Sequence, residues 1–396
     1  MKAIVLYYSA TGNTAKIAGS IHRGMRSVLE RCDLESIREA DPGSMADYDL
    51  LVIGGPIWYF RETANLRDFI YNMPDMKGKQ CALFCTHGSS PDGYMFSLST
   101  AVKRKGMTII GWNNWYGSVY QVLHMPKPYM TDGHPDEISL EQAGAFGSEM
   151  AERAMKIGQG ETGLIPKPGI DPGSSIGVGA EGLWKLYGLG DSAPPPEPGV
   201  PPPKFKMEKA VRELDPEKCK YPDCRKCIGI CPISAISFID GGMSIKESCI
   251  DCALCDKLCP EGAIDVNDEA LLRRTRHIIN TDKCKYPECT LCADYCPMAC
   301  IDLAQSPPVF GRSCEGDDLC WMICPEGAIE ITNLDTTHAS MAPMCRFDLE
   351  NHPFVKKLEV AEEKGAFRRY VSLNEVGIDN IVYKNENAPR FVIEHE

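Results

Sequence analysis

Lys2-Ala3-Ile4-Val5-Leu6-Tyr7-Tyr8-Ser9-Ala10-Thr11-Gly12-Asn13-Thr14 is an apolar, β-prone run that breaks into hydroxyls, a glycine and an amide. After the break, residues 14–29 carry Ile17, Ile21, Met25 and Val28 at helical spacing, so the break reads as a strand-to-helix turn. A turn of this kind suits an anion. Backbone N–H groups and the helix dipole face it, and Ser9, Thr11 and Thr14 add O–H donors. The competing reading is a helix that is simply capped, because Ser, Thr and Asn are good N-caps. No Gly-x-x-x-x-Gly-Lys-Ser/Thr is present, which excludes a nucleoside-triphosphate loop.

Working outward, residues 49–53, 80–85 and 107–112 are further short apolar runs, and 62–73, 95–105 and 139–157 read as helices. Alternating strands and helices imply a parallel sheet covered on both faces. Sheets of this type bind ligands at the carboxyl ends of their strands. Two loops fall there, Gly54-Gly55-Pro56-Ile57-Trp58-Tyr59 and Thr86-His87-Gly88-Ser89-Ser90. Together with residues 9–14 they resemble, in order, the phosphate loop and two ring loops of flavodoxin-like domains, and the resemblance covers about residues 1–157. It implies FMN as cofactor. Ser9, Ala10, Thr11, Gly12, Asn13 and Thr14 would then hold the phosphate, and Pro56, Ile57, Trp58 and Tyr59 one side of the ring. Trp58 or Tyr59 would pack on the isoalloxazine, and Thr86, His87 and Gly88 would border its pyrimidine side. Without that context such an aromatic is a packing residue, and His87 is a polar loop residue. The string Gly177-Val178-Gly179-Ala180-Glu181-Gly182 matches a dinucleotide fingerprint, but no strand precedes it, so it reads as linker.

The 396 residues are 43% hydrophobic and 24% charged, which suits a soluble chain of two or three domains. No apolar run reaches eighteen residues, so no membrane insertion is expected. The net charge of −13 argues against nucleic acid as a partner. Sixteen of the twenty cysteines lie between Cys219 and Cys324. With no secretory signal in sight, a reducing cytoplasmic location is expected, and the cysteines read as metal ligands rather than disulfides. Ten prolines and eleven glycines between residues 158 and 207 mark a semi-rigid linker. The expected division is 1–157, linker 158–207, a cysteine-rich part, and a tail 334–396.

The cysteines form four runs: Cys219-x4-Cys224-x2-Cys227-x3-Cys231-Pro232; Cys249-x2-Cys252-x2-Cys255-x3-Cys259-Pro260; Cys284-x4-Cys289-x2-Cys292-x3-Cys296-Pro297; and Cys314-x2-Asp317-x2-Cys320-x3-Cys324-Pro325. The last two repeat the first two at an offset of 65 residues, so the unit is duplicated, over 215–268 and 280–333. Zinc ribbons would need two widely separated cysteine pairs per metal. The runs instead resemble bacterial two-cluster ferredoxins, in which the fourth cysteine of each run ligates the other cluster. That resemblance implies two small α+β modules with four iron–sulfur clusters. Cys219, Cys224, Cys227 and Cys259 would hold the first; Cys249, Cys252, Cys255 and Cys231 the second; Cys284, Cys289, Cys292 and Cys324 the third. The fourth has Cys314, Cys320 and Cys296, with Asp317 in place of a cysteine. A carboxylate is the harder ligand, so this site reads as a four-iron cluster bound by Asp317 or as a three-iron cluster. Cys300 is a substitute ligand in principle, although its repeat partner Ala235 points to plain packing; Cys345 has no assignment.

As a whole the chain resembles the flavodoxin–ferredoxin fusion proteins of anaerobes. The resemblance implies electron transfer between FMN, the clusters and redox partner proteins. Thiolate-bound clusters would bring the net charge to about −20, suited to basic patches on such partners. Two alternatives stand beside this: a flavin-dependent reductase of a small substrate fed by the clusters, or a wiring subunit of a larger complex or homo-oligomer. Tail runs 368–371 and 390–393 could add strands to a partner or pack on the chain itself.

Overall fold

The computed structural model describes residues 1–58, 61–88, 91, 94–119, 130–166, 210–247, 249, 252–266, 275–311, 314, 316–333 and 353–365. Tyr59, the glycine string 177–182, Cys345 and the tail runs 368–371 and 390–393 lie outside the described residues.

The N-terminal domain runs β1 (Lys2–Tyr7), α1 (Asn13–Arg26), β2 (Arg31–Ser36), β3 (Leu50–Trp58), β4 (Arg61–Glu62), α2 (Ala64–Asn72), β5 (Gln80–His87), α3 (Tyr94–Arg104), β6 (Thr108–Tyr116) and α4 (Glu137–Gly158). The sheet order is β2-β1-β3-β5-β6, all parallel, with β4 folded back antiparallel on β3. The apolar runs are central strands covered on both faces. One face packs Ile4, Leu6, Leu51 and Leu83 under Leu66, Phe69 and Leu98 of α2 and α3. The other packs Val5, Val52 and Phe84 under Ile17, Ile21, Phe146 and Met150 of α1 and α4. Helices α1 and α4 meet backbone to backbone, since a Cβ on Gly147 would lie 2.1 Å from the Ile21 carbonyl oxygen.

Strand β2 is absent from the sequence expectation. Only Cys32 of its six residues is buried, because β2 is an edge strand and carries too little apolar alternation to show. Strand β3 does not end at Ile53; Gly54 and Gly55 continue it. A Cβ at Gly54 would lie 2.4 Å from the Phe84 ring, so the glycine serves strand packing and not a loop. Helix α2 starts at Ala64 and not at 62, because Arg61 and Glu62 form β4.

Each cysteine module repeats one plan. The first has β7 (Arg212–Leu214), α5 (Lys226–Ile230), β8 (Ile236–Ile239), β9 (Gly242–Ile245), α6 (Leu254–Lys257) and β10 (Ile264–Val266). The second has β11 (His277–Ile279), α7 (Leu291–Tyr295), β12 (Ile301–Asp302), β13 (Val309–Phe310), α8 (Leu319–Ile323) and β14 (Ile329–Ile331). β7 pairs with β10 and β11 with β14, so the units begin a few residues before the expected 215 and 280. In the tail, helix α9 (Pro353–Glu363) buries Leu358 against Tyr116 and Val119 of the N-terminal domain. Among the described residues, no helix is long and apolar enough to cross a membrane.

Candidate functional site

At the carboxyl edge of the sheet lies an open cleft. It is lined by Ser9, Ala10, Thr11, Asn13 and Thr14, by Pro56, Ile57 and Trp58, by Thr86, His87 and Gly88, and by Gly117, Ser118 and Val119. All three sequence-predicted stretches therefore meet there, although 56–58 and 86–87 are the last residues of β3 and β5 and not loops, and Gly12 stands within the first as the N-cap of α1. Gly12 has φ 97°, a left-handed conformation that a glycine adopts without strain, and no side chain caps the helix. The first-turn N–H groups of α1 are thus left for an occupant of the cleft. The hydroxyls and amide shape the loop. Ser9 Oγ accepts the Gly12 N–H at 3.1 Å, Thr14 Oγ1 lies 2.7 Å from Thr86 Oγ1, and Asn13 Nδ2 donates to the Ser118 carbonyl at 3.0 Å. Thr14, in the first turn of α1, therefore braces that helix to the end of β5, and Thr11 lines the cleft beside it. The sequence reading missed Gly117, Ser118 and Val119 because it ended the last strand at 112, four residues early. The usable signal was Gly117-Ser118, a small-residue pair like those closing the other strands.

His87 is buried, with Nε2 2.8 Å from Asn114 Oδ1 and its ring edge-on to Tyr116 at 4.7 Å. Its Nδ1 has no protein partner. Burial pulls its pKa from 6.5 down to about 4, against the Asn114 hydrogen bond, which favours the charged form. The unfolded chain therefore takes up a proton between pH 6.5 and 4 that the folded chain refuses. Stability should fall as pH drops through that window, by at most about 3 kcal/mol from this group, and be flat above it. Urea unfolding of the parent and of His87→Gln against pH checks this: the difference between the two curves should slope below pH 6.5 only.

The cysteines ring hollow chambers. Cys219, Cys224, Cys227 and Cys259 line one, and Cys231, Cys249, Cys252 and Cys255 line another. The last cysteine of each run thus stands with the other run's three. In the second module, Cys292 is pushed up to about 12 by burial, with the neighbouring charges of Cys324, Cys284 and Cys289 adding to it. Cys320 is raised by burial and then by Asp317, Cys314 and Cys296. Among the described residues, no three His, Cys, Asp or Glu side chains close on a point fit for a single ion. Backbone N–H groups of Ala235, Ala263, Cys300 and Ala328 donate to the sulfurs of Cys231, Cys259, Cys296 and Cys324 at 3.2, 3.2, 3.5 and 3.3 Å. Behind Cys314, His277 Nδ1 lies 3.9 Å from the sulfur and His277 Nε2 lies 3.0 Å from Asp318 Oδ1.

The cleft shares a wall with the group of Cys296, Cys314 and Cys320, the fourth cage. Trp58 and Ala10, which line the cleft, pack with Tyr8 against Leu319, Met322 and Ile323 of α8, the helix that carries Cys320. Arginines hold the domains together, Arg61 and Arg67 buried and Arg38 and Arg104 exposed, a role that sequence reading missed. Arg61 donates to the Cys252 carbonyl at 2.9 Å, and Arg67 to the Ile230 carbonyl at 2.9 and 2.8 Å. Arg104 donates to the Gly229 carbonyl at 2.6 Å, and Arg38 to the carbonyls of Asp294 and Cys296.

The N-terminal part is a flavodoxin-like domain. The family model described as "Flavodoxin domain" matches residues 4–102. An archaeal flavodoxin of known structure has 20% identity and a TM-score of 0.32, covering 39% of this chain and 99% of that one. Formate hydrogenlyase subunit 2 of Escherichia coli K12 is 34% identical over 64 residues, 16% of this chain and 32% of that protein. One subunit of the H(2):CoB-CoM heterodisulfide,ferredoxin reductase of Methanothermobacter marburgensis is 31% identical over 85 residues, 17% of this chain and 13% of that protein. The chain thus spans about a third or less of the length of these two relatives.

Proposed function

We propose that this chain is an electron-transfer flavo-iron–sulfur protein, with FMN in the cleft and iron–sulfur clusters in the four cysteine cages. The shared wall carries the reading: residues of the cleft and the helix bearing Cys320 lie in one buried apolar cluster. The uncapped N-terminus of α1 fits a terminal phosphate, and Trp58 and Ile57 fit the edge of a ring. The chambers fit clusters, because each is a hollow ringed by four thiols with a backbone N–H aimed at one sulfur. Bound there, a flavin supplies two-electron exchange and each cluster one-electron exchange.

This chain's own residues bind and insulate. Ser9, Thr14 and Asn13 hold the first loop in shape, and Thr11 offers a donor. Tyr8, Trp58, Leu319 and Met322 exclude water from the passage between the cleft and the fourth cage. That both named relatives are subunits of larger redox enzymes supports docking to a partner oxidoreductase.

Anaerobic purification with iron, sulfide and flavin quantitation tests the whole reading. Mass spectrometry of the acid-released flavin should give FMN; FAD, or no flavin after reconstitution, would sink the cofactor assignment. Thr11→Ala should weaken FMN binding about tenfold, the worth of one hydrogen bond to a charged group, as measured by flavin fluorescence titration.

A further inference from the structure

The fourth cage holds one sulfur from a position where the repeat has none. Cys300 is 8% exposed, its Sγ lies 3.4 Å from Cys296 Sγ, and Cys314 stands beside both. Its place in the fold recurs three times. In all four Cys-Pro turns, the residue four after the cysteine donates its N–H back to that cysteine's sulfur. The turn is made by a left-handed residue just before it: Ser234, Gly262, Ala299 and Gly327, at φ 52°, 56°, 47° and 57°. In the two chambers of the first module, the donor residues Ala235 and Ala263 themselves line the hollow. The methyl group at this position therefore faces the space where a cluster would sit. Where the other three turns stop at alanine, Cys300 extends a sulfur.

Asp317 is also buried beside the cage, and its Oδ1 accepts the Leu319 N–H at 3.0 Å. Cys252, its repeat counterpart, accepts the Leu254 N–H in the same way. The backbone thus accommodates either side chain there, and the choice of ligand falls to chemistry. Iron in a sulfide cluster prefers the soft thiolate to a carboxylate.

We propose that Cys300 supplies the fourth thiolate of the cage formed by Cys296, Cys314 and Cys320, and that Asp317 caps helix α8 outside the coordination sphere. The inference rests on the iron–sulfur reading above. The missing cysteine at position 317 is made good by one from a different loop, so the site holds four irons like its three sisters.

Full-length parent, Cys300→Ala, Asp317→Ala and the double variant Cys300→Ala with Asp317→Cys test this after anaerobic reconstitution. Each is assayed for iron per chain and, after mild ferricyanide oxidation, for the three-iron signal in electron paramagnetic resonance. Cys300→Ala should lose iron and show the signal; it installs the residue that the other three turns carry, so the fold should persist. The parent and Asp317→Ala should stay silent, and the double variant should return to silence. Silence from Cys300→Ala overturns the proposal. So does a signal from the parent, or one from Asp317→Ala as strong as that from Cys300→Ala. A parent that binds no iron overturns the iron–sulfur reading itself, a result readable before any variant is made.

Discussion

Arg67→Ala should destabilise the folded chain by about 3–5 kcal/mol, as expected when one partner of a buried ion pair is removed. The side chain is 2% exposed and pairs with Glu62 Oε1 at 2.9 Å, while Glu62 is wholly buried. The same guanidinium donates to the Ser97 carbonyl at 2.7 Å and crosses to the Ile230 carbonyl through Nε and Nη2. Alanine leaves the Glu62 carboxylate buried without a cation and strips two carbonyls of their donors. Replacing both charges, Arg67→Met with Glu62→Leu, should recover part of the loss because no lone charge remains. Denaturant unfolding measures both; a single variant within about 1 kcal/mol of the parent contradicts the account. Since Ile230 directly precedes Cys231, iron in the second chamber should also become easier to chelate.

Cys231→Ala should remove about a quarter of the bound iron, and the lost share should belong to the run of Cys249, Cys252 and Cys255 rather than to its own run. The chamber linings give this grouping. Double variants read it without spectroscopy. Cys231→Ala with Cys252→Ala should lose no more iron than either alone, because both cut one site. Cys231→Ala with Cys227→Ala should lose about twice as much, because they cut two. The reverse pattern would place each run on its own cluster.

Much of this is readable in the residues, and the gaps have physical causes. Central strands β1, β3 and β5 announce themselves because burial on both faces makes them continuously apolar, whereas edge strand β2 is mostly exposed and does not. Offset arithmetic exposes the duplication, and β7, α5 and β10 recur as β11, α7 and β14 at that same spacing. The arginine clasps are invisible in the sequence, because Arg61 and Arg67 are 1% exposed although arginine is ordinarily a surface residue. Cys300 reads as packing because its counterpart is Ala235. That inference leaves out what Ala235 faces, which is a chamber.

Two of the four arginine clasps fall on the same repeated atom. Arg104 takes the carbonyl of Gly229 and Arg38 that of Asp294, positions 65 residues apart. One unrepeated host thus offers two separate locks for a single repeated key. For the gene, this sets a copy number. Unequal crossing-over between the two coding repeats would delete or add a whole unit in frame. A one-unit product would leave one arginine lock empty, and a three-unit product would carry a key with no lock.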